Sequence, residues 1–340
     1  MHAFGAEFAA PPGYLNTPSI GVPPAAAADA VAESVEKWRR GEARPYDFDA
    51  IVDSSRAGFA RLAGVPADRV AIGASVSQLI ANVAAGLKDD ARVLVAAGDF
   101  TSVTFPFAAH ADRGITVTEV PPDQLASRVE GHDLVAVSVV QSADGSIADL
   151  AALRAAAEAT GAAVLLDATQ AAGWLPLDVA WADWVIAAGY KWLLSPRGSA
   201  WMAVHPRAHE RTRPAAANWY AGGDDRWNSI YGLPLRLAGD ARGFDLSPVW
   251  LAHVGAAVAL DYLGSLDLAE VRAHNVGLAN SLLGALGLPA RDTAIVSLAA
   301  DAGRMAAAGV VSGVRDGKVR VGFHLYNTAD DVERVLRAFE

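Results

Sequence analysis

The chain contains no cysteine. That absence excludes disulfides, thiolate metal sites and a cysteine nucleophile. It also lacks any apolar run long enough to span a bilayer, so no membrane partner is expected. The opening stretch, MHAFGAEFAAPPGYLN, has no basic region followed by an apolar core. No secretory signal is therefore expected, and a cytoplasmic location is. Basic charge is short as well: 38 acidic against 28 basic side chains leave a net charge of −10. That balance, with scattered arginines, argues against a nucleic-acid surface. No G-x-G-x-x-G turn follows an early strand, which removes the main signature of a nicotinamide-dependent oxidoreductase. The histidines, His110, His205 and His253 among them, show no metal-ligand spacing, so no metal is expected. Repeats and low-complexity tails are missing too.

What is present is a chain of 340 residues, 52% of them hydrophobic. That suffices for a large core and two lobes. Alanine- and valine-rich runs recur as strand candidates: RVAIG, RVLVAAG, GITVTEV, DLVAVSVV, AVLLD, WVIAAG and SAWMAVH. Alanine-rich helical segments alternate with several of them, for instance Ile147 to Thr160. The pattern predicts an α/β fold with a largely parallel sheet covered by helices. The Pro- and Gly-rich opening, residues 1–22, reads as an arm. Helices are expected from Pro24 to Arg40 and from Phe48 to Ala63, the second ended by Gly64 and Pro66. Residues 213–247 are rich in Gly, Trp, Arg and Asp and read as a long ordered loop near the site. From Pro248 a helical stretch leads to a smaller lobe with strands in AIVSLA and KVRVGFHLY and a closing helix from Ala329 to Phe339. The expected division is an arm (1–22), a large domain (23–247) and a small C-terminal domain (248–340).

The chemistry concentrates between Val164 and Met202. One lysine, Lys191, sits among apolar and aromatic residues; one carboxylate, Asp167, ends the run AVLLD; an amide, Gln170, follows three positions later. An amine in apolar surroundings is disfavoured as a cation and becomes a nucleophile toward an aldehyde. A carboxylate at a strand end can hold the proton on a pyridine nitrogen. Those are the two anchors of pyridoxal 5'-phosphate. The ordinary alternatives are a solvated loop lysine and a helix-capping aspartate. Gly73 to Gln78 follows a strand and precedes an apolar helix, which suits a phosphate or a plain Ser cap. Phe100 offers a ring face for stacking, or a core side chain. Arg320 offers a planar fork to a carboxylate, or sits on an edge strand.

D-A-T-Q-A, A-A-G-Y-K-W and S-P-R-G together resemble the cofactor segment of the class V aminotransferase-fold enzymes. That group includes cysteine desulfurases, kynureninase, isopenicillin N epimerase and C–S lyases. The resemblance implies an aspartate aminotransferase-like fold type I architecture: a mostly parallel seven-stranded sheet flanked by helices, plus a smaller α+β C-terminal lobe. It implies pyridoxal 5'-phosphate as cofactor, with Lys191 as both Schiff-base lysine and base, and Asp167 facing the ring nitrogen. Ala74 and Ser75 occupy the two hydroxyl positions of a G-T-T/S phosphate loop, so one hydroxyl is missing. Ala188 stands where relatives often carry another.

By the same resemblance, Phe100 stacks on the ring and Tyr190 bonds the phosphate; Gln170, one helical turn beyond Asp167, is placed to donate to the ring oxygen or otherwise contact the cofactor. Arg197 is structural or a phosphate-side contact. Arg320, in a pattern close to R-x-S-x-x-x-Y-N-T with Gly322 replacing Ser, grips the substrate's α-carboxylate. Ser247 reaches across a homodimer to the partner's phosphate, giving a shared active site. Arg242, Trp227 and Tyr231 are candidates for side-chain recognition. The substrate is an amino acid. The reaction is C–S lyase (β-elimination) or aminotransferase-type, with epimerase or kynureninase-like hydrolase chemistry as the alternative. A non-catalytic binding protein is the reading outside enzymes. Desulfurases of this fold carry sulfur on their own cysteine, which a cysteine-free chain cannot do.

Overall fold

The structure is a computed structural model and describes residues 1–223 and 225–340. It opens with a small ladder of β1 (His2–Ala3) and β2 (Ala6–Glu7), then helices α1 (Ala25–Arg39) and α2 (Asp49–Ala63). Gly64 ends α2 in the left-handed conformation, φ 67°, which glycine adopts without a Cβ penalty. Next come β3 (Val70–Gly73), α3 (Val76–Gly86), β4 (Arg92–Ala96), α4 (Thr101–Ala108), β5 (Thr116–Val120) and β6 (Leu134–Ser138). Helix α5 (Leu150–Thr160), β7 (Ala163–Asp167), β8 (Trp184–Ala188) and β9 (Ala200–Val204) follow. Strands β3 to β9 each fall inside an apolar run that the sequence marks, whereas β1 and β2 lie in the stretch expected to be an arm.

The seven strands form one sheet in the order β3-β9-β8-β7-β6-β4-β5. Strands β4 to β8 pair in parallel. Strand β9 is antiparallel to both neighbours, so β3 again points the same way as β8. The sheet is thus mostly parallel and flanked by helices. Strands β3 and β6 to β9 are buried at every residue. Both faces are covered, which is why these runs are continuously apolar rather than alternating.

Parity divides the strand residues between two cores. Val164, Leu166, Val185 and Ala187 face α2, α5 and a later helix, α6 (Trp250–Gly264), in a core with Phe59, Leu153 and Leu260. Ala163, Leu165, Ile186 and Ala188 face α3 and α4, in a core with Leu79, Val103 and Phe107. Asp167 has the parity of Leu165. Its side chain therefore belongs to the α3–α4 face.

Helix α7 (Leu268–Ala285) leads into a lobe of β10 (Ile295–Leu298), α8 (Ala302–Ala307), β11 (Gly313–Arg315), β12 (Lys318–Gly322) and α9 (Ala329–Leu336). Its antiparallel sheet has the order β10-β12-β11. Strand β11 is additional to the two strands expected here. It is joined to β12 by Asp316 and Gly317, both at positive φ (50° and 70°), a two-residue hairpin turn.

The N-terminal arm docks on this lobe. Leu15 lies in its core, and Asn16 bridges to Gly322. A Cβ at residue 322 would lie 2.4 Å from Cγ of Pro18. The close passage of the arm accounts for glycine where the family pattern has serine. Among the described residues no helix is long and apolar enough to cross a membrane.

Candidate active site

Five strands of the sheet end on one edge and deliver their following residues to one place. Strand β3 leads to Ala74 and Ser75, and β4 to Asp99 and Phe100. Strands β6 and β7 end in Ser138 and Asp167, and β8 leads through Ala188 to Tyr190 and Lys191. The carboxyl ends of parallel strands are where open α/β sheets bind ligands. A cavity of about 360 Å³ opens there, lined by Ala74, Ser75, Phe100, Asp167, Gln170, Ala188, Tyr190, Lys191 and Arg197. The structure therefore brings together all but two of the residues singled out for the cofactor and the substrate carboxylate.

Lys191 is 6% exposed. Its Nζ lies 5.2 Å from the centroid of the Phe100 ring and 5.6 Å from that of Tyr190. Burial pulls its amine down to about 8, opposed by the charge of Asp167. Asp167 is 5% exposed and accepts the Thr169 amide at 2.8 Å. Burial pushes its carboxyl up to about 6, against the Thr169 bonds and the charge of Lys191. Each group is held away from its ordinary charge by loss of water, the condition in which a nucleophile and a proton-holding acid are useful.

Helix α3 starts at the cavity wall. Ser75 caps it, its hydroxyl accepting the Gln78 amide at 3.4 Å. The free amides of that first turn and the guanidinium of Arg197, 5.2 Å over the Tyr190 ring, give this end an anion-binding character.

Gln170 lines the cavity, but its amide is committed. Nε2 donates to the Pro18 carbonyl (3.0 Å) and the Ser142 hydroxyl (3.1 Å), and Oε1 accepts from Trp192 Nε1 at 2.7 Å. The arm and the Lys191 segment converge on it, so it acts in this chain as a joint between them.

Arg320 lies behind Ser142 rather than in the cavity wall. Its Nη1 donates to the carbonyl and, at 2.9 Å, to the hydroxyl of Ser142; Nη2 donates to Ser19 Oγ at 2.8 Å. Its Nε is buried without a partner. Burial lowers this guanidinium to about 10, and the charge of Arg315 adds to the effect. It is a buried cation bonded only to neutral acceptors.

Ser247 is exposed and does not line the cavity of its own chain. Two residues earlier Asp245 is clamped by Arg56, with Nη1 to Oδ1 at 3.0 Å and Nη2 to Oδ2 at 2.7 Å, and accepts the Ile72 amide at 2.8 Å. The three recognition candidates from residues 213–247 are not brought to the cavity. Trp227 donates to Asp49 (2.8 Å), Arg242 pairs with Asp240 (3.0 Å), and Tyr231 is 87% exposed. Around Trp227 this segment packs against α2 through Asp49, which also accepts from Arg226.

Several contributors escaped the sequence reading. Asp99 accepts the Phe100 amide (2.7 Å) and the Ser138 amide (2.8 Å), fixing the start of α4. Thr169 takes the Ala188 amide at 3.1 Å. Ser142 and Ser19 hold Arg320 across 178 and 301 residues of chain, and no local pattern marks such contacts. The D-G dipeptide in VRDGKV, a hairpin signal, would have revealed β11.

The Aminotransferase class-V family model matches residues 37–306. The chain is 30% identical over 227 residues to a Bacillus subtilis protein described as an uncharacterized aminotransferase, YcbU, covering 64% of this chain and 60% of that one. It is 27% identical over 263 residues to a kynureninase of Deinococcus radiodurans, covering 73% and 62%. The chain thus spans 60% and 62% of the lengths of these curated relatives. Among solved structures it resembles the cystine C–S lyase C-DES in complex with its product cysteine persulfide, at TM-score 0.85 and 19% identity over 97% of this chain and 98% of that one. It also resembles the apo cysteine desulfurase of Thermococcus onnurineus, at TM-score 0.82 and 20% identity over 97% and 94%. At such identities the likeness establishes the fold. With the family match spanning most of its length, the chain belongs to the class-V aminotransferase family of pyridoxal-phosphate-dependent enzymes.

Proposed function

We propose that the protein acts on an amino acid with pyridoxal 5'-phosphate held by Lys191, and carries out β-elimination at a C–S bond or aminotransferase-type chemistry. The observation that carries this reading is the pairing, in one cavity, of a buried amine and a buried carboxyl whose charges burial opposes in both cases. The residues fit the cofactor. Asp167 is a buried acid short of a cation, which a protonated ring nitrogen would supply. Phe100 offers a ring face on the Lys191 side. The α3 amides, Ser75, Tyr190 and Arg197 suit a phosphate, with Arg197 offsetting the hydroxyls missing at Ala74 and Ala188.

When bound, the cofactor supplies an aldehyde and an electron-withdrawing ring. Lys191 binds the aldehyde through its neutral amine, which burial makes available near neutral pH. Asp167 keeps the proton on the ring nitrogen. Arg320, preset by Ser142 and Ser19, takes the substrate's α-carboxylate. The Lys191 amine, once the substrate amine has displaced it, is positioned to remove the α-proton. Ser247, rigidly presented by the Asp245–Arg56 clamp, reaches the phosphate of a second copy in a homodimer. A cytoplasmic location is part of the same reading. A desulfurase storing persulfide on its own cysteine is excluded, since the chain has none.

The test is spectroscopic. Purified protein given cofactor should show a visible absorbance that borohydride bleaches, with the label mapped to Lys191 by mass spectrometry. Lys191→Ala should lose it entirely. Pyruvate and ammonia from an amino acid would indicate elimination; one equivalent of keto acid with aminated cofactor would indicate transamination. A protein that takes up no cofactor overturns the reading in favour of a binding module.

A further inference from the structure

A second chamber, of about 620 Å³, adjoins the Lys191 cavity and shares Phe100, Thr101 and Ser142 with it. Its outer wall carries Arg315, Asp316 and Lys318 from the β11–β12 hairpin. The register explains this placement. Gly313 pairs with Arg320, and Arg315 pairs with Lys318. Residues two apart on a strand share a face, so Arg315 and Lys318 stand on the face of Arg320, about 7 Å further along the strand. The intervening Val314 and Val319 point the other way, and Val319 lies in the lobe's core.

The acids of this chamber are largely committed. Asp144 is bonded to the Ser146 amide and hydroxyl at 2.9 and 2.7 Å and lies 3.9 Å from Arg291. Asp99 is bonded to the Phe100 and Ser138 amides. Asp316 sits at the turn between the two cations. Among the described residues no acid lies within 4 Å of Arg315 or Lys318. Arg315 donates only to the adjacent Val314 carbonyl, at 2.7 Å. Its charge nonetheless reaches inward, since it bears on both Arg320 and Lys191.

We infer that Arg315, assisted by Lys318, binds an anionic group at the far end of the substrate's side chain, so that the substrate class is an amino acid with an acidic side-chain terminus. This rests on the proposed function, with Arg320 taking the α-carboxylate and Arg315 the distal anion. The chamber lies beyond Phe100 on the same hairpin face, where a side chain leaving the α-carbon has room to extend. A planar guanidinium is suited to a carboxylate or a sulfur oxyanion alike.

The test uses cofactor-loaded protein and reads the shift of the cofactor absorbance on titration, with calorimetry as an independent measure of affinity. L-aspartate and L-glutamate are compared with L-asparagine and L-glutamine, which match them in size but lack the charge. The acids should bind at least about tenfold more tightly than their amides, as for loss of one charge-assisted contact. In Arg315→Ala that preference should fall to about unity, with the amides' affinity changed less than about threefold. Arg315→Lys should restore part of it. Equal binding of acids and amides by the loaded wild type overturns this inference and leaves the cofactor reading intact. A preference that survives in Arg315→Ala assigns the anion to another cation and overturns it equally. Failure to load cofactor at all overturns the underlying reading and this inference with it.

Discussion

Two groups of buried ionisable residues sit in one molecule and are built in opposite ways. At the Asp245 clamp, a guanidinium and a carboxylate meet in bidentate fashion, and a backbone amide takes a further lone pair. The amine and the Asp167 carboxyl in the Lys191 cavity, and the Arg320 guanidinium behind Ser142, each lie buried with no opposite charge within 4 Å among the described residues. A paired buried charge is a structural joint; an unpaired one is stable only because something else completes it. The clamp fixes the path of the chain toward Ser247. The cavity holds charges in reserve for a cofactor and a substrate.

The contrast breaks most sharply if the clamp can be removed without cost. Asp245→Ala leaves the buried Arg56 with only the half-exposed Asp53, 3.6 Å from its Nε, as a counter-charge, and should lower the unfolding free energy by about 3 kcal/mol in urea denaturation. A loss below about 1 kcal/mol would put the clamp in the same class as the cavity. The opposite substitution sharpens the point. Asp167→Asn should slow exchange of an amino acid's α-proton in D₂O, followed by NMR, by roughly 10²–10³-fold, as for loss of a preorganised electrostatic contact. It should not destabilise the cofactor-free protein. The sign follows from the carboxyl, whose pKa rises from 3.8 to about 6 on folding. The folded state then binds that proton more tightly, so the contribution of Asp167 to stability falls as pH rises from about 4 to 6. The stability advantage of Asp167→Asn over the wild type should therefore grow across that range in melting curves, and a difference that stays flat would sink the assignment. The smallest effect is kinetic. Cofactor capture should quicken with pH through a midpoint near 8, where half of the buried Lys191 amine is neutral, and level off about one unit above. A rate still climbing toward pH 10 would mean an ordinary solvated lysine.

Much of the architecture was legible in the chain because its signals are local. Seven apolar runs bounded by turns became seven strands, and the caps at Gly64 and Ser75 end and begin their helices as their chemistry requires. The cofactor cluster was legible because strand ends and short motifs carry it. The side chains whose bonding no local signal foretold are those whose partners lie far away in sequence. Gln170 is drawn off by Pro18 and Trp192, and Trp227 by Asp49. A propensity or a motif says what a side chain can do, not which of two distant partners will reach it first.

The amino acids by themselves determined the alternation of strands and helices, the parity that turns Asp167 to the α3–α4 side, and the exclusion of all cysteine chemistry. Only the tertiary structure decided which charges are paired. Burial and the approach of distant segments set that balance, as when the arm brings Ser19 to Arg320 and the hairpin register lines Arg315 up with it. The energy of a charge depends on everything packed around it, and that surrounding is a property of the fold rather than of any stretch of chain.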